Sequence, residues 1–384
     1  MRIKGTYIAF LILSLGFIGF SCKEEKSDIQ PATGHDDEIR FDVNIATRVD
    51  EDSDIDPNQD KYFLDGESVV FISQRATNLN IDFTPESTNC YKYYYSRNDD
   101  ADWEHGFNFK PVDEALNWGT IIENGQFGQV FAFAILYFPG GDKDEYPYKV
   151  GANQNEPSIE NEPVDFFQWD ILGGYHRTGK VRDRLRFQLK HLMCRLKVNL
   201  YVPKVNAELG NGYEVNDIIA SALSFRTDYT VSFGDLDSEG IPMAQPTNDA
   251  GIEIVPEDIR MKKTLSSETT LSKDILSNFN VSDLEEDDVY QYSFDMIFPA
   301  QSVTGDILRF TLQSDGGESN FLFNSNNLTA GNTNFKFEAG SITKLELYLR
   351  RSDNTLFLLE ANIDDWNEIS TGMVVVPDEG LQNQ

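Results

Sequence analysis

Few residues in this chain have the type and spacing that catalysis or metal binding requires. None of the four histidines has a neighbour at a metal-ligand spacing. The sequence has no Gly-x-Ser-x-Gly elbow, no His-Glu-x-x-His motif and no phosphate-binding loop. A carboxylate pair for glycoside hydrolysis, drawn from the 64 acidic residues, would leave no local signature. We therefore predict no enzyme activity, no cofactor and no metal site. The histidines are His35, His105, His176 and His191.

One acidic loop, at residues 49–60, contains a partial calcium motif. Asp52, Asp54 and Asp56 have the spacing that opens a calcium-binding loop. Pro57 stands where that loop needs glycine, and Phe63 stands where it needs a bidentate glutamate. The sequence therefore favours a solvated loop over a calcium site.

Cys22 follows a segment with the pattern of an export signal. Arg2 and Lys4 precede an apolar stretch at residues 7–20, which is too short to span a bilayer well. This resembles a bacterial lipoprotein signal, in which the cysteine is lipidated and becomes the mature N-terminus. A plain secretory signal with an incidental cysteine is the alternative. We predict a signal peptide at 1–21 and lipidation of Cys22.

The residues after Cys22 indicate where the anchored protein would lie. Residues 23–26 (KEEK) look like the short acidic tag of surface-exported lipoproteins of the Bacteroidetes. Polar residues with Pro31 and Gly34 follow, so 22–37 is predicted to be a flexible tether. The expected location is the outer membrane, with the protein facing outward.

The other two cysteines show no framework of disulfides or zinc ligands. Cys194 stands at an apolar position of an alternating stretch and is predicted to be a small buried hydrophobic residue. Whether Cys90 pairs with it is left open by the sequence. The formal charge of −32 argues against a nucleic-acid partner, which needs clustered Lys and Arg.

The elements that would position these residues are predicted to be β-strands, because aromatic and β-branched runs alternate with turn residues. Residues 130–138 (VFAFAILYF) are apolar on both faces, which predicts a central strand covered on both sides. The length of 384 residues allows two domains. We place them at 38–203 and 204–384.

One of the longest alternating stretches, residues 184–202, is predicted to close the first domain. Its apolar positions have a period of two, with a slip of one residue at His191, which indicates a β-bulge or a short break. His191 is therefore expected to be a structural histidine. Helical spacing of some leucines is the alternative. The predicted core residues are Phe187, Leu189, Leu196, Val198 and Leu200. The predicted exposed residues are Arg186, Gln188, Lys190, Arg195, Lys197 and Asn199.

Several stretches in order along the chain together resemble the fimbrillin-like family, the surface lipoproteins that build or decorate type V pili in Bacteroidetes. They are residues 170–174 (DILGG), 185–200 (LRFQLKHLMCRLKVNL), 296–299 (MIFP), 337–340 (FEAG) and 363–366 (IDDW). The resemblance implies two tandem transthyretin-like Greek-key β-sandwich domains and no enzyme site. It implies a stalk, anchor or tip subunit of a fimbrium, with other pilin-like subunits and a host or bacterial surface ligand as partners.

The same resemblance gives a role to the strand predicted at residues 39–48. In the family, arginine-specific cleavage after such a strand frees a groove, and a partner's strand refills it. Here Arg48 ends the strand and an Asp-rich loop follows. We predict cleavage at Arg48; an ordinary edge strand that is never cut is the alternative. A donor strand would have to come from 369–376, which is short and weakly patterned and departs from the family in this respect. The predicted strand-exchange residues are Ile39, Phe41, Val43 and Ile45.

A second function is left open by the sequence. A surface glycan-binding lipoprotein would present exposed aromatic side chains to sugars, and a cluster of exposed tryptophans on one face would favour it. Trp103, Trp118 and Trp169 are expected to be core or loop anchors instead.

Overall fold

The computed structural model describes part of the chain, and several predicted sites lie outside that part. Cys22, Arg48, Trp103, the acidic loop at 49–60 and the segment 369–376 are among the residues it leaves undescribed. No helix within the described ranges is long and apolar enough to cross a membrane. The described residues are 39, 41–45, 68–75, 81–82, 90–95, 109–123, 130–139, 147–156, 166–179, 185–205, 213–233, 242–246, 256–272, 287–328, 334–350 and 355–366.

Nearly all of the regular structure in these ranges is β-strand, so the all-β prediction is confirmed. The six-residue helix α1 spans Trp118–Glu123, and short 3₁₀ turns span Phe166–Trp169 and Ser325–Asn327. The strands are β1 Phe41–Ile45, β2 Ser68–Arg75, β3 Ile81–Asp82, β4 Cys90–Tyr95, β5 Phe109–Pro111, β6 Phe131–Tyr137, β7 Tyr148–Lys149, β8 Leu172–Thr178, β9 Leu185–His191, β10 Cys194–Pro203, β11 Asp217–Phe225, β12 Asp228–Phe233, β13 Pro242–Pro246, β14 Glu257–Arg260, β15 Lys262–Leu271, β16 Asp287–Phe298, β17 Gln301–Val303, β18 Asp306–Ser314, β19 Gly317–Asn324, β20 Phe335–Phe337, β21 Ser341–Arg350 and β22 Thr355–Asp365.

Three large sheets organise the fold. The first has seven strands in the order β1-β9-β8-β6-β2-β4-β5, the second has five in the order β15-β16-β10-β21-β22, and the third has four in the order β14-β11-β18-β19. The strand β12 pairs with β13, β3 and β7, and β17 pairs with β20. The transthyretin-like topology and the domain boundary between residues 203 and 204 are not tested by these sheets and remain predictions. The final predicted strand of the first domain, β10, pairs with β16 and β21, which both follow it in the chain.

Strand β6 is buried along its whole length, as predicted from its two apolar faces. Because side chains alternate across a strand, its two faces contribute to two different cores. Phe131, Phe133, Ile135 and Tyr137 enter the smaller core, and Ala132, Ala134 and Leu136 enter the larger core. The smaller core also contains Ile39, Phe41, Val69, Tyr93, Phe109, Leu116, Trp118, Leu172, Leu185, Phe187 and Leu189.

The seven-stranded sheet is curved so that its two ends approach each other. In a flat sheet with strands about 4.8 Å apart, β1 and β5 would lie about 30 Å apart. Instead, the ring centroids of Phe41 in β1 and Phe109 in β5 are 5.5 Å apart. The sheet therefore encloses the smaller core, and β1 closes one side of it.

The phase slip at His191 is a break between two strands. Strand β9 ends at His191 and β10 begins at Cys194, so the strand interpretation is confirmed and the helical alternative is wrong. All five predicted core residues of this stretch are 0–1% exposed. Cys194 is buried as predicted, and its Sγ donates to the Glu338 carbonyl at 2.9 Å. It is not bonded to Cys90.

One predicted surface residue of this stretch is buried. Arg195 was expected to face water, but its side chain is 3% exposed. Its Nε and Nη2 donate to the Asp295 carboxylate at 2.6–3.1 Å, and its guanidinium lies 5.7 Å from the Trp366 ring centroid. A distant strand supplies the counter-charge, so the alternation of apolar residues in the sequence could not reveal this burial.

His191 is a structural histidine, as predicted. Its Nδ1 lies 2.6 Å from Asp170 Oδ2, and both side chains are 1% exposed. Asp170 Oδ1 also accepts from the Ile171 N–H at 2.8 Å. The imidazole stacks on Trp366, with ring centroids 4.0 Å apart and an interplanar angle of 4°. We call Asp170, His191, Arg195, Asp295 and Trp366 the polar lock.

Candidate strand-exchange site

Strand β1 is an edge strand of the seven-stranded sheet. It pairs in parallel with β9, from Phe41 opposite Leu185 to Ile45 opposite Leu189. The other pairings in this sheet are antiparallel. The second edge of β1 pairs with no strand among the described residues. One row of backbone hydrogen bonds therefore holds β1, whereas the inner strands have two.

Phe41 anchors β1 to the smaller core. Its side chain is 5% exposed and contacts three aromatic rings that come from different strands. Tyr93 lies edge-on with centroids 5.1 Å apart, Phe109 is tilted at 5.5 Å, and Phe187 lies edge-on at 6.4 Å. These geometries are favourable for aromatic pairs, so the Phe41 side chain occupies a specific aromatic pocket.

The chain just before β1 is attached at a second point. The Ile39 N–H donates to the Leu116 carbonyl at 2.8 Å, and the Ile39 side chain is 2% exposed. The Leu116 N–H in turn donates to the Tyr93 hydroxyl at 2.7 Å. Tyr93 therefore supports both the Phe41 pocket and the segment that receives Ile39.

The remaining predicted residues of this site are described in part. Val43 is half-buried and packs against the smaller core. Ile45 is paired with Leu189, but the position of its side chain is not described. Arg48 lies outside the described residues. The structure thus brings Ile39, Phe41 and Val43 to one core, and their role in strand exchange stays a prediction.

The walls of this site were not predicted from the sequence. Tyr93, Phe109 and Leu116 come from β4, β5 and the segment before α1. No local sequence pattern indicated that these residues lie near β1. Their contact depends on the curvature of the sheet.

The site is suited to bind an extended apolar segment. Its floor is aromatic and aliphatic, and the free edge of β9 would offer backbone groups if β1 were absent. No group of three or more His, Cys, Asp or Glu that could hold a metal ion occurs in the described part of the chain. His176 lies near this site, where its Nδ1 is 3.2 Å from the Arg186 carbonyl.

The tryptophans do not form an exposed platform in the described ranges. Trp118 is 1% exposed and lies edge-on to Phe131 and Phe133 in the smaller core. Trp366 is 4% exposed in the polar lock, and Trp169 is half-buried. The feature that would favour glycan binding through exposed tryptophans is therefore absent from these residues.

Comparison with known proteins finds similarity in structure only. No protein-family model and no curated protein matches the chain. A candidate cell adhesion protein from Bacteroides uniformis matches with a TM-score of 0.44 and 12% identity, over 87% of this chain and 100% of the other. The tip fimbrial protein of Porphyromonas gingivalis, truncated at its C-terminus, matches with a TM-score of 0.36 and 9% identity, over 79% and 95% of the two chains.

A third solved structure carries a different description. A candidate polysaccharide-binding protein from Bacteroides thetaiotaomicron matches with a TM-score of 0.35 and 9% identity, over 86% of this chain and 97% of the other. The solved structures that the chain resembles over most of its length thus include a candidate adhesion protein and a fimbrial tip protein.

Proposed function

We propose that this chain is a fimbrillin-like surface protein that takes part in adhesion as a subunit of a pilus. In this proposal, Cys22 carries the lipid anchor in the outer membrane, and β1 is exchanged for a strand of another subunit. The chain then acts as a stalk, anchor or tip subunit and has no enzyme activity. Its partners are other pilin-like subunits and a ligand on a host or bacterial surface.

The observation that carries the proposal is the position of β1. It is an edge strand with one row of backbone bonds, yet it places Phe41 in a core, and Ile39 just before it is buried in the same core. A strand of this kind can leave without breaking any pairing among the remaining strands. Its departure would expose the Phe187 face and the β9 edge, which together match the requirements of strand addition.

The position of Arg48 supports removal by proteolysis. In the sequence it follows Ile45 by three residues and precedes the acidic loop at 49–60. Cleavage after Arg48 would separate β1 from all later strands. Cleavage after Arg40, by contrast, would leave β1 attached to the rest of the protein, because Arg40 precedes Phe41.

This pair of arginines provides a matched test. The mature protein and its Arg48→Ala and Arg40→Ala variants are digested with an arginine-specific protease, and the products are analysed by N-terminal sequencing and by gel electrophoresis without boiling. We expect the wild type and Arg40→Ala to acquire an N-terminus at Val49 and to form SDS-resistant ladders. The Arg48→Ala variant should retain β1 and remain monomeric.

Two results would contradict the proposal. Ladders of equal intensity from Arg48→Ala would show that release of β1 is not needed for assembly. Assembled fibres in which the segment from Cys22 to Arg48 is intact would show that β1 is an ordinary edge strand.

A further inference from the structure

The groove that holds β1 has one position with a specific shape, which is the pocket around Phe41. This side chain is 5% exposed, and three aromatic rings surround it at centroid distances of 5.1, 5.5 and 6.4 Å. Two of the rings, those of Tyr93 and Phe109, lie on β4 and β5, which pair with each other and not with β1. These two walls of the pocket therefore keep their backbone pairing when β1 leaves.

The geometry of this pocket favours an aromatic side chain over an aliphatic one. Phe41 meets Tyr93 at an interplanar angle of 88° and Phe187 at 78°, so both contacts are edge-on. Edge-on contacts between rings stabilise a buried pair beyond the area that they cover. A smaller side chain loses these contacts and leaves a cavity, because walls held by their own strands relax only in part. The groove therefore discriminates among strands by the residue that enters this pocket.

The neighbouring positions of the groove require aliphatic residues and fix the direction of the strand. Ile39 is 2% exposed, and its N–H donates to the Leu116 carbonyl at 2.8 Å, so a residue other than proline is needed there. Val43 packs against the same core. Because β1 is parallel to β9, a strand that replaces β1 in the same register runs in the direction of β9. The pattern required is aliphatic, aromatic and aliphatic at alternate positions.

The predicted donor segment of this chain, residues 369–376, meets this requirement except at the aromatic position. When Ile369 is aligned with Ile39, apolar residues of the segment also fall at the positions of β1 that follow the pocket. The residue that falls in the pocket is Thr371. A shift by two residues brings Met373 into the pocket, but it places Thr371 at the buried position of Ile39. Neither register supplies a ring.

We propose that the groove left by β1 selects a strand with an aromatic side chain in the Phe41 pocket, and that its preferred donor is a pilin-like chain of different sequence. This inference rests on the proposed exchange of β1. Residues 367–384 contain no Phe, Tyr or Trp, so this segment of a second copy does not supply the ring. Its other apolar positions still fit the groove. Copies of this chain therefore join each other less tightly than they join the preferred donor.

Competition between peptides for the groove tests this inference. A site for a sequence-specific protease is inserted directly after Arg48 in the mature protein, so that β1 is cut free whether or not Arg48 is itself a natural cleavage site. The cleaved protein is equilibrated with a fluorescent peptide of residues 38–48, and unlabelled peptides then compete with it. Fluorescence anisotropy gives their relative Kd values. The protein is the same in every titration, so differences in folding do not affect the ranking.

Matched substitutions in the peptides isolate the effect of the ring. The peptide of residues 367–378 should bind roughly tenfold or more weakly than the peptide of residues 38–48, and Thr371→Phe in it should recover roughly tenfold or more. Ser370→Phe is the control, because the same ring one position earlier lies on the opposite side of the strand. A register that brought this ring into the pocket would bury Glu368 in the place of Ile39.

The outcomes separate this inference from the proposed function. Binding of the Thr371→Phe peptide that is no tighter than binding of the Ser370→Phe peptide would overturn the aromatic selectivity and leave strand exchange intact. Equal binding of the unsubstituted peptides 367–378 and 38–48 would do the same. Failure of every peptide to bind, that of residues 38–48 included, would overturn strand exchange itself and this inference with it.

Discussion

The two faces of β6 support cores that are closed in different ways. The smaller core is closed on one side by β1, which has a single hydrogen-bonded neighbour. The larger core is closed by β10, which pairs with β16 over its full length and with β21 over seven positions. The polar lock adds side-chain contacts between distant segments beside this core. We therefore expect that the smaller core can open by loss of a short strand, and that the larger core opens only when its sheets unfold.

This difference shows that burial alone does not measure how firmly a segment is held. Phe41 and Leu200 are both buried, at 5% and 0% exposure. Leu200 lies on a strand bonded at both edges, whereas Phe41 lies on a strand bonded at one edge. The free energy of local opening depends on all the contacts that a segment makes together. Strand β1 covers apolar side chains of the smaller core, but it has backbone hydrogen bonds along one edge only.

Truncation of the larger core should have the largest effect. Leu200→Ala leaves a cavity in a closely packed region, and we expect the free energy of unfolding to fall by about 2–5 kcal/mol. Val198→Ala removes less volume and should lower it less. Urea denaturation monitored by tryptophan fluorescence measures both. Changes within about 0.5 kcal/mol for both variants would mean that β10 does not face the core.

Disruption of the polar lock should have the next largest effect. His191→Ala leaves Asp170 Oδ2 buried without its partner and removes the ring that stacks on Trp366. We expect a loss of about 2–4 kcal/mol in the free energy of unfolding, because an unpaired buried carboxylate is costly. The near-ultraviolet circular dichroism of tryptophan should change as well. His176→Ala, which alters a half-exposed histidine, is the control.

Truncation of the β1 anchor should act locally. In Phe41→Ala, amide hydrogen exchange over Phe41–Ile45 should accelerate at least tenfold, while the global urea midpoint shifts by the equivalent of about 1 kcal/mol or less. Phe294→Ala is the matched control in the larger core and should lower the free energy of global unfolding by about 3–5 kcal/mol. Equal global effects in the two variants would show that β1 unfolds together with the rest of the protein.

A substitution at Glu346 in β21 should have a smaller effect, and it should raise the free energy of unfolding rather than lower it. Its Oε1 accepts from Asn199 Nδ2 at 2.8 Å, and its Oε2 is buried without a partner among the described residues. Burial raises the pKa of the Glu346 carboxyl above its ordinary value of 4.5. The folded state therefore binds the proton more tightly than the unfolded chain, and the associated stability is lost as the pH rises above that value.

Glu346→Gln should remove this pH dependence. The amide keeps an acceptor for Asn199 and carries no charge, so we expect a gain of about 0.5–1 kcal/mol at pH 7. The gain should disappear near pH 4, where the wild-type carboxyl is protonated in the fold. Urea midpoints measured at both pH values check this expectation. Equal differences at pH 4 and pH 7 would contradict the assigned cause.

The strands could be predicted from the sequence where side chains alternate in a simple way. The period of two in β9 and β10, the slip at His191 and the two apolar faces of β6 are local properties of the chain. The burial of Cys194 follows from the same period. Each of these predictions is confirmed because a pleated strand places alternate side chains on opposite faces wherever it lies in a sheet.

The contacts between distant strands could not be predicted in the same way. The parallel pairing of β1 with β9 and the pocket around Phe41 join residues that are far apart in the sequence. Arg195 shows the limit most clearly. Its position in the alternating pattern predicted an exposed side chain, but Asp295 on β16 and Trp366, which directly follows β22, cover it.

The sequence alone thus determined the all-β class, the strand phases and the core positions along them, because these depend on local periodicity. Only the tertiary structure decided which strand lies at an edge and which charged side chain is buried. Those properties depend on sheet order and curvature, which arise from pairings between strands that the local pattern does not specify.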